Sequence, residues 1–129
     1  MILPILHFCG DCKEAIALYE KAFSTQATMV VTNSQFSPGE HDDDGIAHAE
    51  MHIHGQRIML NDRFGNKDKL PDVPVRLIVT FNTAEELLAS YEYFKEKSTI
   101  VDPLQEVSFS KLFGNFIDKF GICWGFMVE

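Results

Sequence analysis

Four side chains able to bind protons or metals recur at every second position of one short stretch: His48, Glu50, His52 and His54. Alternate residues of an extended strand point to one face, so this spacing brings three imidazoles and a carboxylate to the same side, within reach of a metal or a substrate. The plainer reading is a solvated sheet face, because strand residues two apart stand about 7 Å from each other, wide for shared ligation of one ion. Arg57 and Arg76 are candidate anchors for an anionic ligand, with a surface or interface salt bridge as the competing role. Phe113 and Trp124 are candidate walls of a hydrophobic pocket, or simply core.

Two further motifs carry chemistry on paper. Cys9-Gly-Asp-Cys12 is a C-x-x-C placed where a strand meets a helix, and a helix N-terminus depresses the pKa of a thiol. It comes too early in the chain for the elements that precede such a motif in thioredoxin-like proteins, and the intervening aspartate opposes thiolate formation. A structural cap with incidental cysteines is therefore preferred, and thiol redox activity is kept as an alternative. Asp42-Asp43-Asp44 lacks the alternate spacing of a calcium loop and reads as a solvated loop.

The elements that must position these residues follow from periodicity. Residues 46–54 alternate Ala47, Ala49, Met51 and Ile53 against the polar set, and Gly55 joins them to residues 56–60 as a hairpin. The chain closes on a second hairpin, where residues 116–117 and 122–128 flank Asp118-Lys-Phe-Gly121. Before the first hairpin stand a short strand over 2–8, a helix from an Asp11 N-cap with Glu14 completing a capping box, a strand over 27–32 and a surface loop over 33–45. Residues 63–74, rich in turn formers and charge, read as a linker. Then a strand over 75–81, a helix capped by Thr83, a short strand at Ile100-Val101 interrupted by Pro103, and a hairpin from about Phe109 repeat the order. Asp11, Glu14, Tyr19 and Glu20 match Thr83, Glu86, Tyr91 and Glu92 at a constant offset, so the chain reads as one α+β domain of two βαβββ modules, about 1–65 and about 73–129.

The chain has 129 residues, 46% of them hydrophobic, enough for one good core. A formal charge of −8 repels phosphate backbones, which argues against nucleic-acid binding. No stretch approaches the about 20 apolar residues of a membrane span, and three cysteines do not make a disulfide framework, so a cytoplasmic protein with reduced thiols is expected.

Residues 8–23 (Phe-Cys-Gly-Asp-Cys-Lys-Glu-Ala-Ile-Ala-Leu-Tyr-Glu-Lys-Ala-Phe), 48–62 (His-Ala-Glu-Met-His-Ile-His-Gly-Gln-Arg-Ile-Met-Leu-Asn-Asp) and 118–124 (Asp-Lys-Phe-Gly-Ile-Cys-Trp), in that order across two such modules, resemble the vicinal oxygen chelate superfamily of glyoxalases and bleomycin-resistance proteins. The branch resembled is the PhnB-like one, also labelled 3-demethylubiquinone methyltransferase-like. The resemblance implies an open, cupped β-barrel with helices packed on its outer face, a small-molecule site inside, and a homodimer. It also implies that His48 and Glu50 look into the cup, as a base or a substrate anchor. Catalytic members of the superfamily hold a divalent metal on inward strand positions, which fall here at Pro4, Met59 or Asn61, Arg76 and Gly125. Those residue types offer no full ligand set, so no metal and no other cofactor is expected. A metal-dependent enzyme of the glyoxalase or dioxygenase type is the alternative.

Overall fold

The computed structural model describes residues 1–39, 45–62 and 76–129, so the Asp42 to Asp44 run and the linker reading fall outside the described residues. The chain divides into two compact units, Met1–Lys69 and Leu70–Glu129. The fold is α+β, and each unit is a βαβββ module built on one four-stranded mixed sheet.

Unit 1 contains β1 (Ile5–Phe8), α1 (Cys12–Ala22), β2 (Met29–Thr32), α2 (Asn33–Phe36), β3 (Ile46–Ile53) and β4 (Gln56–Asp62), with sheet order β1-β4-β3-β2. The β3–β4 hairpin turns on two residues, His54 and Gly55, whose φ angles of 49° and 84° are both left-handed, as a tight turn matched to strand twist requires. The first strand closes the sheet by lying parallel to the last, Ile5 beside Met59 and His7 beside Asn61. One face is apolar: Leu6, Phe8, Ala49, Met51, Ile58 and Leu60 are buried together with Ala15, Ile16 and Tyr19 of α1.

Unit 2 contains β5 (Leu77–Phe81), α3 (Ala84–Glu92), β6 (Thr99–Val107), β7 (Ser110–Ile117) and β8 (Cys123–Val128), in the order β5-β8-β7-β6. Its core is an aromatic cluster: the Phe116 and Phe126 rings lie 5.0 Å apart, Phe81 and Phe126 4.9 Å, and Phe94 and Phe116 5.2 Å. Tilted and edge-to-face contacts of this kind add about 0.5–1.5 kcal/mol each beyond the area they bury. The closing turn is fixed by the buried Asp118, whose Oδ1 accepts from the amides of Phe120 and Ile122 and whose Oδ2 accepts from Trp124 Nε1 at 2.9 Å. Gly121 takes the positive φ of 93° that the turn needs.

Several local expectations are corrected. Asp11 precedes α1 but its side chain makes no cap; Asp62 at the end of β4 does so instead, its Oδ1 accepting from Gly10 and Cys12 amides at 2.8 and 3.0 Å and its Oδ2 from Ile46 at 2.9 Å. Residues 33–36, read as loop, form a one-turn helix, because Thr32 and Gln35 complete a reciprocal capping box. The short strand at Ile100-Val101 is part of the nine-residue β6, which runs through Pro103. An edge position tolerates a proline that cannot donate, and the register against β7 shifts on either side of it. Among the described residues no helix is long and apolar enough to cross a membrane.

Candidate functional site

Glu50 is the hub of the face of unit 1 that lies away from α1. On β3 the helix side takes Ala49, Met51 and Ile53, which leaves His48, Glu50 and His52 on the other side. The antiparallel register sets Glu50 against Met59 and His52 against Arg57, so Arg57 is the diagonal neighbour of Glu50 and its long side chain spans the gap. Arg57 Nε donates to Glu50 Oε1 at 2.6 Å, and His48 Nε2 lies 2.8 Å from Glu50 Oε2.

This bonding decides the protonation of the group. The hydrogen bond from Arg57, then that from His48, holds the Glu50 carboxyl down at about 2 from an ordinary 4.5, and the same pairing raises the Arg57 guanidinium. An ionised carboxylate only accepts, so His48 carries its proton on Nε2, and in the neutral ring Nδ1 keeps the lone pair. His48 is about one-third exposed, so its ring can be reached. The arrangement is an oriented imidazole with a fixed carboxylate behind it and a guanidinium behind that, suited to general-base work or to binding a polar group.

Of the residues picked out beforehand, His48, Glu50 and Arg57 are brought together. His54 is not on their face. It occupies the hairpin turn, where its ring meets Phe23 edge-on at 6.0 Å, because the strand ends one residue before it. His52 faces the same way as Glu50 but is exposed, opposite Arg57. The residue that sequence reasoning missed is His7, whose Nδ1 lies 2.7 Å from Asn61 Oδ1 across 54 residues. The alternation of buried Leu6 and Phe8 around it was the available signal.

On unit 2, Trp124 lies in the core, only 1% exposed, between Phe94 and the Asp118 carboxylate. Of its two readings, pocket wall or core, that placement is the core one. Phe113 is half-buried and packs edge-on against Phe109 at 5.1 Å. Arg76 is exposed and its stem runs beside Gly125. Asn115 Nδ2 donates to Asp102 at 2.8 Å, while its buried Oδ1 accepts no hydrogen bond among the described residues. In the C-x-x-C, Cys12 is fully buried, and burial first, then the Asp62 and Asp11 carboxylates, pushes its thiol up, away from the thiolate that the redox alternative needs.

A family model described as 3-demethylubiquinone-9 3-methyltransferase matches residues 1–127. The chain belongs to this family. Protein YjdN of Escherichia coli K12 is 26% identical over 133 residues, covering 94% of this chain and 90% of YjdN. Among solved structures, a PhnB protein from Bacillus cereus superposes with a TM-score of 0.86 at 26% identity, covering 99% of this chain and 98% of its own. Protein PA1353 from Pseudomonas aeruginosa reaches a TM-score of 0.89 at 23% identity, covering 100% and 97%. The fold is that of the vicinal oxygen chelate superfamily.

The positions at which catalytic members of that superfamily hold a metal can now be judged by what stands there. Pro4 offers only a carbonyl, and that oxygen accepts from the Met59 amide at 2.9 Å. Asn61 is engaged with His7, and Met59 presents a thioether, a poor partner for a hard cation. On unit 2 a side chain at Gly125 would meet Ile78 Cδ1 at 2.5 Å and Asn115 Oδ1 at 2.7 Å, so the space a carboxylate ligand would need is filled. Among the described residues no three His, Cys, Asp or Glu side chains come close enough to hold an ion. The donor set does not fit a divalent metal.

Proposed function

We propose that this glyoxalase-superfamily protein binds a small organic molecule on the face of unit 1 built by His48, Glu50 and Arg57, and that it works there without the superfamily's metal. The observation carrying this reading is the Arg57–Glu50–His48 chain itself, with both carboxylate oxygens engaged at 2.6 and 2.8 Å. A charged carboxylate locked by a guanidinium does nothing for the sheet that an apolar pair would not do, whereas it orients an imidazole for a partner. In this reading His48 Nδ1 takes a proton or a hydrogen bond from the ligand, Glu50 holds the tautomer, and Arg57 keeps Glu50 ionised. Arg57 is a positioning residue here, not the anion anchor, since its Nε is committed to Glu50. Phe113 and Arg76 stand on unit 2 and carry no part of the reading.

The test is a metabolite screen by thermal shift on metal-free protein, repeated with His48→Gln and with Glu50→Gln. The expected result is a ligand that raises the wild-type melting temperature without added metal and fails to raise that of His48→Gln. A ligand that stabilises both equally, or about one tightly held metal ion per chain with stability lost on chelation, overturns it.

A homodimer belongs to the same reading. The edge strands β2 and β6 expose Met29, Val30, Ile100 and Val101, apolar side chains on edges that a second copy can cover. Light scattering at micromolar protein is expected to give twice the chain mass, and the monomer mass would refute it.

A further inference from the structure

His7 is a second imidazole on the face of unit 1 away from α1, and the His48–Glu50–Arg57 chain does not use it. Its Nδ1 stands 2.7 Å from Asn61 Oδ1, an atom that only accepts, so Nδ1 carries the proton and Nε2 of the neutral ring keeps the lone pair. His48 is held the opposite way round, with Nε2 on Glu50 and the lone pair on Nδ1. Each ring is therefore tied through one nitrogen and offers the other as an acceptor.

The sheet brings the two rings into one row. His7 is the parallel partner of Asn61. Continuing the β3–β4 register one step beyond the Ala49 and Leu60 pair sets His48 on the other side of Asn61. The two imidazoles thus flank Asn61 on neighbouring strands, with α-carbons about 10 Å apart by two interstrand spacings. The next row along the sheet holds Ile5, Met59, Glu50 and Met29. Glu50 is consumed by Arg57 and His48, so beside the two acceptors that row offers apolar surface, of which Ile5 and Met29 are exposed.

We propose that His7 and His48 form a paired-acceptor subsite for the two-donor end, a diol or a primary amide, of a neutral small molecule with an apolar body, the body resting on Ile5 and Met59. The inference rests on the reading of this face as the ligand site and adds to it the class of ligand. Two neutral ring nitrogens bearing lone pairs demand two O–H or N–H donors, which a diol or a primary amide supplies and a carboxylate does not. An apolar body next to Met59 and Ile5 gains by burial what a charged one would lose.

The experiment titrates the isotopically labelled full chain with benzamide, benzoate and toluene at millimolar concentrations, at about pH 8. Imidazole nitrogen and backbone amide resonances are followed by NMR. The expected tautomers without probe are Nδ1–H for His7 and Nε2–H for His48. Benzamide is expected to shift both rings, while benzoate and toluene bind at least about tenfold more weakly. The variant His7→Phe keeps the ring volume and is expected to weaken benzamide about five- to tenfold, the loss of one neutral hydrogen bond. The wild-type tautomers and shifts decide the matter even if that variant misfolds. Reversed tautomers, benzoate binding as well as benzamide, or a folded His7→Phe with unchanged affinity each overturn the subsite. Benzamide shifting His48 but not His7 sinks the subsite and leaves the His48 reading standing. No shift of either ring sinks the subsite too, and the screen with His48→Gln then decides whether the broader reading falls with it.

Discussion

Both units run β-α-β-β-β and lay their first strand parallel to their last, yet they secure their helices by opposite means. In unit 2 the cap is local: Thr83 Oγ1 accepts from the Glu86 amide at 3.2 Å, three residues on. In unit 1 it comes from the far end of the module, where the buried Asp62 carboxylate gathers the amides of Gly10, Cys12 and Ile46. The faces away from the helices differ as well. Unit 1 carries hydrogen-bonded imidazoles and a carboxylate, whereas unit 2 closes the surface over Gly125 with Asn115, Ile78 and the Arg76 stem. One topology thus supports two distributions of polar groups, and the unit whose helix is tied to its last strand is also the one whose sheet holds an acid–base chain.

The sharpest way to break the comparison is Asp62→Ala. It leaves three backbone amides without their acceptor, two of them hydrogen bonds at buried positions, and is expected to cost about 3 kcal/mol or more in urea unfolding. A loss no larger than that of a surface substitution would show that water replaces the carboxylate and that the two caps are equivalent.

Gly125→Ala probes the filled face of unit 2. The new methyl overlaps Asn115 Oδ1 and Ile78 Cδ1, and overpacking of this kind costs about 1–3 kcal/mol. A stable Gly125→Glu protein that acquires a metal would refute the claim that the space is closed.

The cap substitutions should rank in a way the sequence does not suggest. Thr83→Ala is expected to cost about 1 kcal/mol, whereas Asp11→Ala, which looks like the same mutation, should stay within about 0.5 kcal/mol. Equal effects in parallel thermal melts would mean that Asp11 caps α1 after all.

The smallest effect expected is that of Glu50 on acid stability. Its carboxyl ordinarily titrates at 4.5 and is held at about 2 in the fold, so what it contributes is fully present above 4.5 and is lost as pH falls from there through 2. Glu50→Gln should remove that share of the pH dependence and leave the rest of the acid-unfolding curve unchanged. Parallel curves for wild type and variant across that window would show that the pairing with Arg57 is not maintained in solution.

Much of the architecture was legible because it is written locally. The alternation from Ala47 to Ile53 specifies which side of β3 is buried, and Gly55 and Gly121 mark turns whose backbone no bulky residue adopts easily. The matched spacing of the two helices revealed the repeat before any strand pairing was known. The site was legible in part for the same reason: His48 and Glu50 are two residues apart on one strand, so their meeting needed only the strand's own period.

Asp11 and Thr83 have the same helical context, and nothing within ten residues of either says that one is a cap and the other is not. That was decided by where β4 ends. His7 and Asn61, like Asp62 with Cys12, meet because β1 lies parallel to β4, and a parallel pairing across some fifty residues has no signature in either segment. Trp124 was legible as an aromatic strand residue, but which face of β8 it took, and so whether it lined a pocket or filled the core, depended on the register against β7 and on the position of α3. Periodicity and turn chemistry act over a few residues and are determined by the sequence alone; the partner of each hydrogen-bonding group is set by the closure of the sheet, a property of the assembled structure.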